Sequence, residues 1–109
     1  MTIDLPSPIA AYVEANSRLD RAGMEKAFTR DAVILDHGKR FEGPDQRRQL
    51  FEEEVLPVRA IFTPDGVRRA GDQVIVEGPV AGDFKGSPIR LVYRFTLEHD
   101  AIKVLEITR

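Results

Sequence analysis

The stretch Phe28-Thr29-Arg30-Asp31-Ala32-Val33-Ile34-Leu35-Asp36, followed at once by His37-Gly38, sets the architecture of the chain. Ala32 to Leu35 form a short, mainly β-branched run, which predicts a strand. That strand ends on an acid, and His37-Gly38-Lys39-Arg40 turns the chain into a brief return at Phe41. Asp36 has the strand parity of Ala32 and Ile34, so its carboxylate is expected to face an apolar space.

Upstream, Ser7-Pro8 predicts a helix start, with Ser7 as the cap and Pro8 in the first turn. Ile9, Tyr12, Val13 and Asn16 then fall on one stripe, opposite Glu14 and Arg18. Asp20 can cap a second, short helix that carries Met24, Ala27 and Phe28. Downstream, Gly43-Pro44-Asp45 opens a third helix, which turns Leu50, Phe51 and Val55 inward and stops before Pro57.

The remainder reads as a β-meander with strands over 58–69, 74–84, 88–98 and 102–108. Gly71-Asp72, Lys85-Gly86 and His99-Asp100 supply the turns. A two-residue turn at Lys85-Gly86 would pair Val80 with Leu91, Gly78 with Tyr93 and Val76 with Phe95. The apolar side chains of both strands then share one face. The last strand changes phase between Val104 and Leu105, which a bulge or burial on both faces explains equally well. Gly78 and Gly82 remove volume from that face, a sign of a bend or of a close approach.

Composition narrows the class. With 109 residues, 42% apolar and 31% charged, the chain reads as one soluble globular domain spanning 1–109. Net charge is −2 and no basic run occurs, which argues against nucleic acid. There is no cysteine, so thiol chemistry and disulfides are excluded. The amino-terminal Met1-Thr2-Ile3-Asp4-Leu5-Pro6 lacks the features of a signal peptide, and no apolar run is long enough for a membrane span. The expected location is cytoplasmic.

Several motifs together carry a resemblance. They are the Tyr12 helix, the 28–38 stretch, Phe41-Glu42-Gly43-Pro44-Asp45, the Gly71-Asp72-Gln73-Val74 turn, and the 86–95 strand from Gly86-Ser87-Pro88 to Tyr93-Arg94-Phe95. In these the chain resembles the NTF2-like superfamily, in particular its SnoaL-like and ketosteroid-isomerase-like members. The resemblance implies an α+β, cone-shaped NTF2-like (cystatin-like) fold, with amino-terminal helices on a curved antiparallel sheet that encloses a pocket. It also implies a homodimer through the outer sheet face, here Arg90, Val92, Arg94 and Thr96.

In ketosteroid isomerases an Asp is the base, while a Tyr and a protonated Asp stabilise the enolate oxygen. The resemblance puts the base at Asp36 and the tyrosine at Tyr12, but the second acid falls on Leu91. Tyr93, on the same strand face, is the candidate replacement donor. Asn16, Phe28, Phe51, Val80, Leu91, Tyr93 and Phe95 are the expected ligand contacts. His37 is either a proton relay or a solvated turn residue, and Asp36 either faces the pocket or bonds the turn N–H groups.

The expected function is therefore cofactor-independent isomerase or cyclase chemistry on a small, largely apolar molecule. Asp36 takes a proton beside a carbonyl and Tyr12 stabilises the oxyanion. The alternative is a non-catalytic ligand-binding or dimeric assembly domain. No metal is expected, because His37 and His99 sit on separate turns without ligand spacing.

Overall fold

The computed structural model describes residues 3–109, so Met1 and Thr2, where the amino-terminal reading began, lie outside it. Two helices, α1 (Ser7–Ser17) and α2 (Arg21–Lys26), lead into strand β1 (Phe28–Asp36) and its return β2 (Lys39–Glu42). Helix α3 (Gly43–Leu50) continues through a π-helical turn, Phe51–Val55. Five strands follow: β3 (Ile61–Phe62), β4 (Gly66–Ala70), β5 (Gln73–Ala81), β6 (Ile89–Glu98) and β7 (Ala101–Thr108).

Helix ends follow local chemistry, with one correction. Pro6 rather than Ser7 stands at the cap of α1, and its carbonyl accepts from Ala10 N at 2.9 Å. Asp20 caps α2 as expected, accepting from Gly23 N at 3.1 Å. At α3, Gln46 Oε1 reaches back to the Glu42 amide at 2.7 Å, which satisfies one of the orphan donors of the first turn.

The strands form one sheet in the order β2-β1-β7-β6-β5-β3, with β4 also paired to β5. The sheet is mixed, not wholly antiparallel, because β1 and β7 run parallel. No hairpin joins these two strands, so the chain is free to return beside β1 in the same direction after crossing over with α3.

Three local readings of the meander change. The expected 58–69 strand is two short pieces, β3 and β4, separated by Thr63-Pro64-Asp65. Thr63 and Asp65 still donate to Pro79 and Glu77, but Pro64 has no N–H to extend the ladder. Along β5 and β6 the register is Gly78 with Leu91, Val76 with Tyr93 and Val80 with Ile89, two residues from the expected pairing. The connection is longer than a two-residue turn because Asp83 N leaves the ladder and donates to Val58 O at 2.6 Å. A slip of two preserves side-chain parity, so the face assignment survives.

The phase change in β7 is a bulge. Ile102 pairs with Leu97 and Val104 with Thr96, which leaves Lys103 as the extra residue. Ile102, Leu105 and Ile107 all reach the buried face as a result.

Gly78 and Gly82 do not hollow the sheet. A Cβ on Gly78 would strike the Thr63 carbonyl, and one on Gly82 would come within 2.5 Å of the Val58 carbonyl. Both glycines let the 58–64 segment cross the sheet backbone to backbone.

The helices cover the inner face of β1, β7, β6 and β5, where Ile9, Met24, Ile34, Val76, Phe95 and Leu105 are fully buried. One cation shares this interior. Arg47, beside the exposed Arg48, is only 2% exposed. Its Nη2 donates to Glu25 Oε1 at 2.7 Å and its Nη1 to Ala32 O at 2.6 Å, tying α3 to α2 and β1.

Candidate functional site

Between the helices and the concave sheet lies a cavity of about 400 Å³. Asp36 reaches it from the end of β1, Tyr12 from α1, and Tyr93 from β6. The three are far apart in sequence, and the curl of the sheet against α1 brings them to one hollow. Phe51, Val80, Leu91 and Asn16, four of the expected ligand contacts, also line it.

Phe28 and Phe95 do not. They lie behind Tyr12, with ring centroids 5.7 Å and 6.2 Å from its own, both edge to face. Such packing holds the phenol ring in place instead of contacting a ligand. Asn16 reaches the cavity wall, but both ends of its amide are engaged by backbone. Its Nδ2 donates to Ala60 O at 2.9 Å, and its Oδ1 accepts from Phe62 N at 2.8 Å.

The carboxylate of Asp36 is 21% exposed and does not bond the turn N–H groups. Its Oδ1 instead lies 2.8 Å from His37 Nδ1, so the imidazole with its proton on Nδ1 donates to the acid. The His37 amide donates to Ile107 O at 3.0 Å, and His37 itself has left-handed backbone, with a φ of 51°. Oδ2 of Asp36 has no hydrogen-bond partner among the described residues, which leaves one carboxylate oxygen for the cavity.

Tyr12 and Tyr93 are 4% and 6% exposed. Neither hydroxyl finds a hydrogen-bond partner among the described residues. Burial pushes both phenols above their ordinary range. The negative charge of Asp36 raises them further, and Tyr12 adds to the effect on Tyr93. A carboxylate that acts on both rings shares one electrostatic neighbourhood with them. At ordinary pH both phenols stay protonated and are hydrogen-bond donors.

Sequence reasoning missed the contribution of the π-helical turn. Glu53, Glu54 and Val55 line the cavity along with Leu50 and Phe51. Glu53 and Glu54 are exposed side chains at the rim of the cavity. Ile89 and Phe84 were also missed, because the slipped β5–β6 register brings the connecting loop to the cavity mouth.

The comparison with known families follows this geometry. The family model described as the SnoaL-like domain matches residues 9–105. The chain belongs to the SnoaL-like family. Its architecture is that of the NTF2-like superfamily, the cone of helices and curled sheet also seen in proteins described as cystatin-fold.

This SnoaL-like chain is 31% identical to a candidate polyketide cyclase from Sinorhizobium meliloti, with 96% of each chain covered and a TM-score of 0.89. It also resembles a Catenulispora acidiphila protein of ketosteroid isomerase-like fold, solved with trimethylamine. There identity is 19%, coverage is 97% of this chain and 87% of that one, and the TM-score is 0.82. A Mycobacterium tuberculosis protein solved with estradiol-17β-hemisuccinate is 15% identical, with 97% and 95% covered and a TM-score of 0.83. The last two likenesses concern the fold alone. No curated protein matches the chain.

Among the described residues, no helix is long and apolar enough to cross a membrane. No group of three or more His, Asp or Glu side chains among them is arranged to hold a metal.

Proposed function

We propose that this SnoaL-like domain binds a compact, largely apolar carbonyl compound and that Asp36 removes a proton from the carbon beside the carbonyl. The C–H electron pair passes into the carbonyl π-system and the proton goes to Asp36. The negative charge collects on the oxygen, where Tyr12 and Tyr93 donate hydrogen bonds. In a β,γ-unsaturated ketone, return of the proton from Asp36 to the γ-carbon isomerises the compound. Where a second carbonyl is in reach, attack of the enolate carbon on it closes a ring and the Asp36 proton passes to the new alkoxide. Neither outcome needs a cofactor.

One observation carries this reading: a carboxylate with a free oxygen and two protonated, protein-unpartnered phenols share one small apolar cavity. The resemblance to ketosteroid isomerases sets Leu91 at the place of their second acid, and Tyr93 lies on the same strand face two residues on. The candidate cyclase from Sinorhizobium meliloti is consistent with carbonyl chemistry of this kind.

The test is hydrogen–deuterium exchange beside the carbonyl in a panel of cyclic ketones and β,γ-unsaturated ketones, followed by NMR in D2O. The wild-type protein is expected to accelerate exchange for at least one compound, and Asp36→Asn to abolish the acceleration. Tyr12→Phe and Tyr93→Phe are each expected to slow it by about 10²-fold, the usual effect of losing one oxyanion donor. Exchange that survives Asp36→Asn, or none anywhere in the panel, overturns the proposal.

A second reading is a non-catalytic carrier, favoured by the engagement of Asp36 Oδ1 with His37 and by Leu91 in the acid position. It predicts ligand binding that Asp36→Asn leaves intact, with no exchange.

A further inference from the structure

The charged groups around the cavity are one-sided. Asp36, Glu53 and Glu54 line it together with His37, and no lysine or arginine does. Lys39 and Arg40 lie in a neighbouring groove that Glu53 and Glu54 also line, and Lys39 makes a long, exposed ion pair with Glu54, Nζ to Oε2 at 4.0 Å. Glu53 has no cationic partner among the described residues, whereas its neighbour Glu52 is held by Arg21 at 3.2 Å.

The carboxyl end of α3 and its π-helical turn also brings the negative pole of that helix to the same rim. Deeper in, Tyr12, Phe51 and Tyr93 present aromatic surface. The two phenols are more than nine-tenths buried and their hydroxyls lack protein partners, so a ligand that enters has polar groups to satisfy there. An anion entering this space would lose its hydration and pass the carboxylates of Glu53, Glu54 and Asp36 before it met the phenol donors. A cation would exchange hydration for carboxylate oxygens at the rim and ring faces within.

We infer that the ligand of this cavity carries a protonated amine, held at the mouth by Glu53 and Glu54, on a compact apolar body that reaches Tyr12 and Tyr93. The inference rests on the reading of this cavity as a small-molecule site, and it adds the charge class of the molecule.

Three molecules of one shape and different charge test it: 1-adamantanamine, 1-adamantanol and adamantane-1-carboxylate. Each is titrated into the full chain near neutral pH, with binding followed by NMR chemical shifts at low and raised salt. The amine is expected to bind at least about tenfold more tightly than the carboxylate, with the alcohol between them, and added salt should narrow the gap. Glu53→Gln combined with Glu54→Gln is expected to bring the three affinities close together. Both side chains are exposed, so the variant should unfold at the same urea concentration as the wild type.

If the carboxylate binds as well as the amine, or the double variant keeps the amine preference, the inference is wrong. An alcohol that binds as tightly as the amine overturns the charge assignment while leaving the cavity as a ligand site. Failure of all three to bind removes both.

Discussion

Phe62 and Tyr93 lie ring on ring, with centroids 3.9 Å apart and planes inclined by 7°. Phe62 belongs to β3, a strand of only two residues. Such a strand has little ladder of its own, and what fixes it is the Asn16 amide, which bonds Ala60 O and Phe62 N across from α1. The orientation of the Tyr93 phenol therefore depends on an asparagine in another element.

Asn16→Ala leaves the buried Phe62 amide without its acceptor. The expected loss is about 1–3 kcal/mol of stability, measured by urea unfolding. Near-ultraviolet circular dichroism should weaken as well, because the Phe62–Tyr93 stack loses its support. A variant with wild-type stability and spectrum would show that Asn16 is not the tie described.

The two phenols make a prediction about alkaline pH. The chain has only two tyrosines, and burial together with Asp36 holds both above the ordinary value in the folded state. An unfolded chain releases those protons near the ordinary tyrosine pKa of about 10. The folded state keeps them longer, so the stabilisation is complete below about pH 10 and is lost as pH rises beyond it. The loss is at most about 1.4 kcal/mol per pH unit for each phenol. Tyrosinate absorbance should stay absent from the native protein slightly above that pH and appear together with the loss of far-ultraviolet circular dichroism. A native protein whose tyrosines ionise near the ordinary value would contradict the burial described.

Arg47 carries the largest expected effect on stability. Its guanidinium is bonded to Glu25, Ala32 O and Arg30 O, and lies 5.4 Å from the centre of the Phe28 ring. Arg47→Met strands a partly buried carboxylate and two carbonyls, a change expected to cost about 3–5 kcal/mol. Adding Glu25→Leu removes the stranded charge and should restore part of the loss. If the double variant is no more stable than Arg47→Met, the cost comes from packing and backbone contacts, not from the ion pair. Arg48, exposed on the same helix, is the control and should tolerate Met with little change.

Much of the architecture is legible in local pattern. The β-branched run before Asp36, the Asp20 cap and the Pro57 stop are short-range signals, and each element they predict is present. The face parity of β5 and β6 follows from period-two alternation, so even a register slip of two left Tyr93 and Leu91 inward. Asp36, Tyr12 and Tyr93 each stand on an apolar face, but it was the resemblance to ketosteroid isomerases that singled out Asp36 and Tyr12 among such residues.

Other features depend on contacts between distant segments. The slipped register and the role of Gly78 both arise because the 58–64 segment crosses β5 backbone to backbone. Nothing local distinguishes Arg47 from Arg48. Which of the two is buried depends on where α2 and β1 place Glu25 and the Ala32 carbonyl.

Alternation and capping act over a few residues, so the order of elements, their inward faces and the polar outliers on those faces were already written in the chain. The gathering of Asp36, Tyr12 and Tyr93 around one cavity, the removal of Phe28 and Phe95 from its wall and the acidic rim at Glu53 and Glu54 were not. Those depend on how tightly the sheet curls and where the π-helical turn comes to rest. Such quantities are set by the packing of whole elements against each other and have no signature within any one of them.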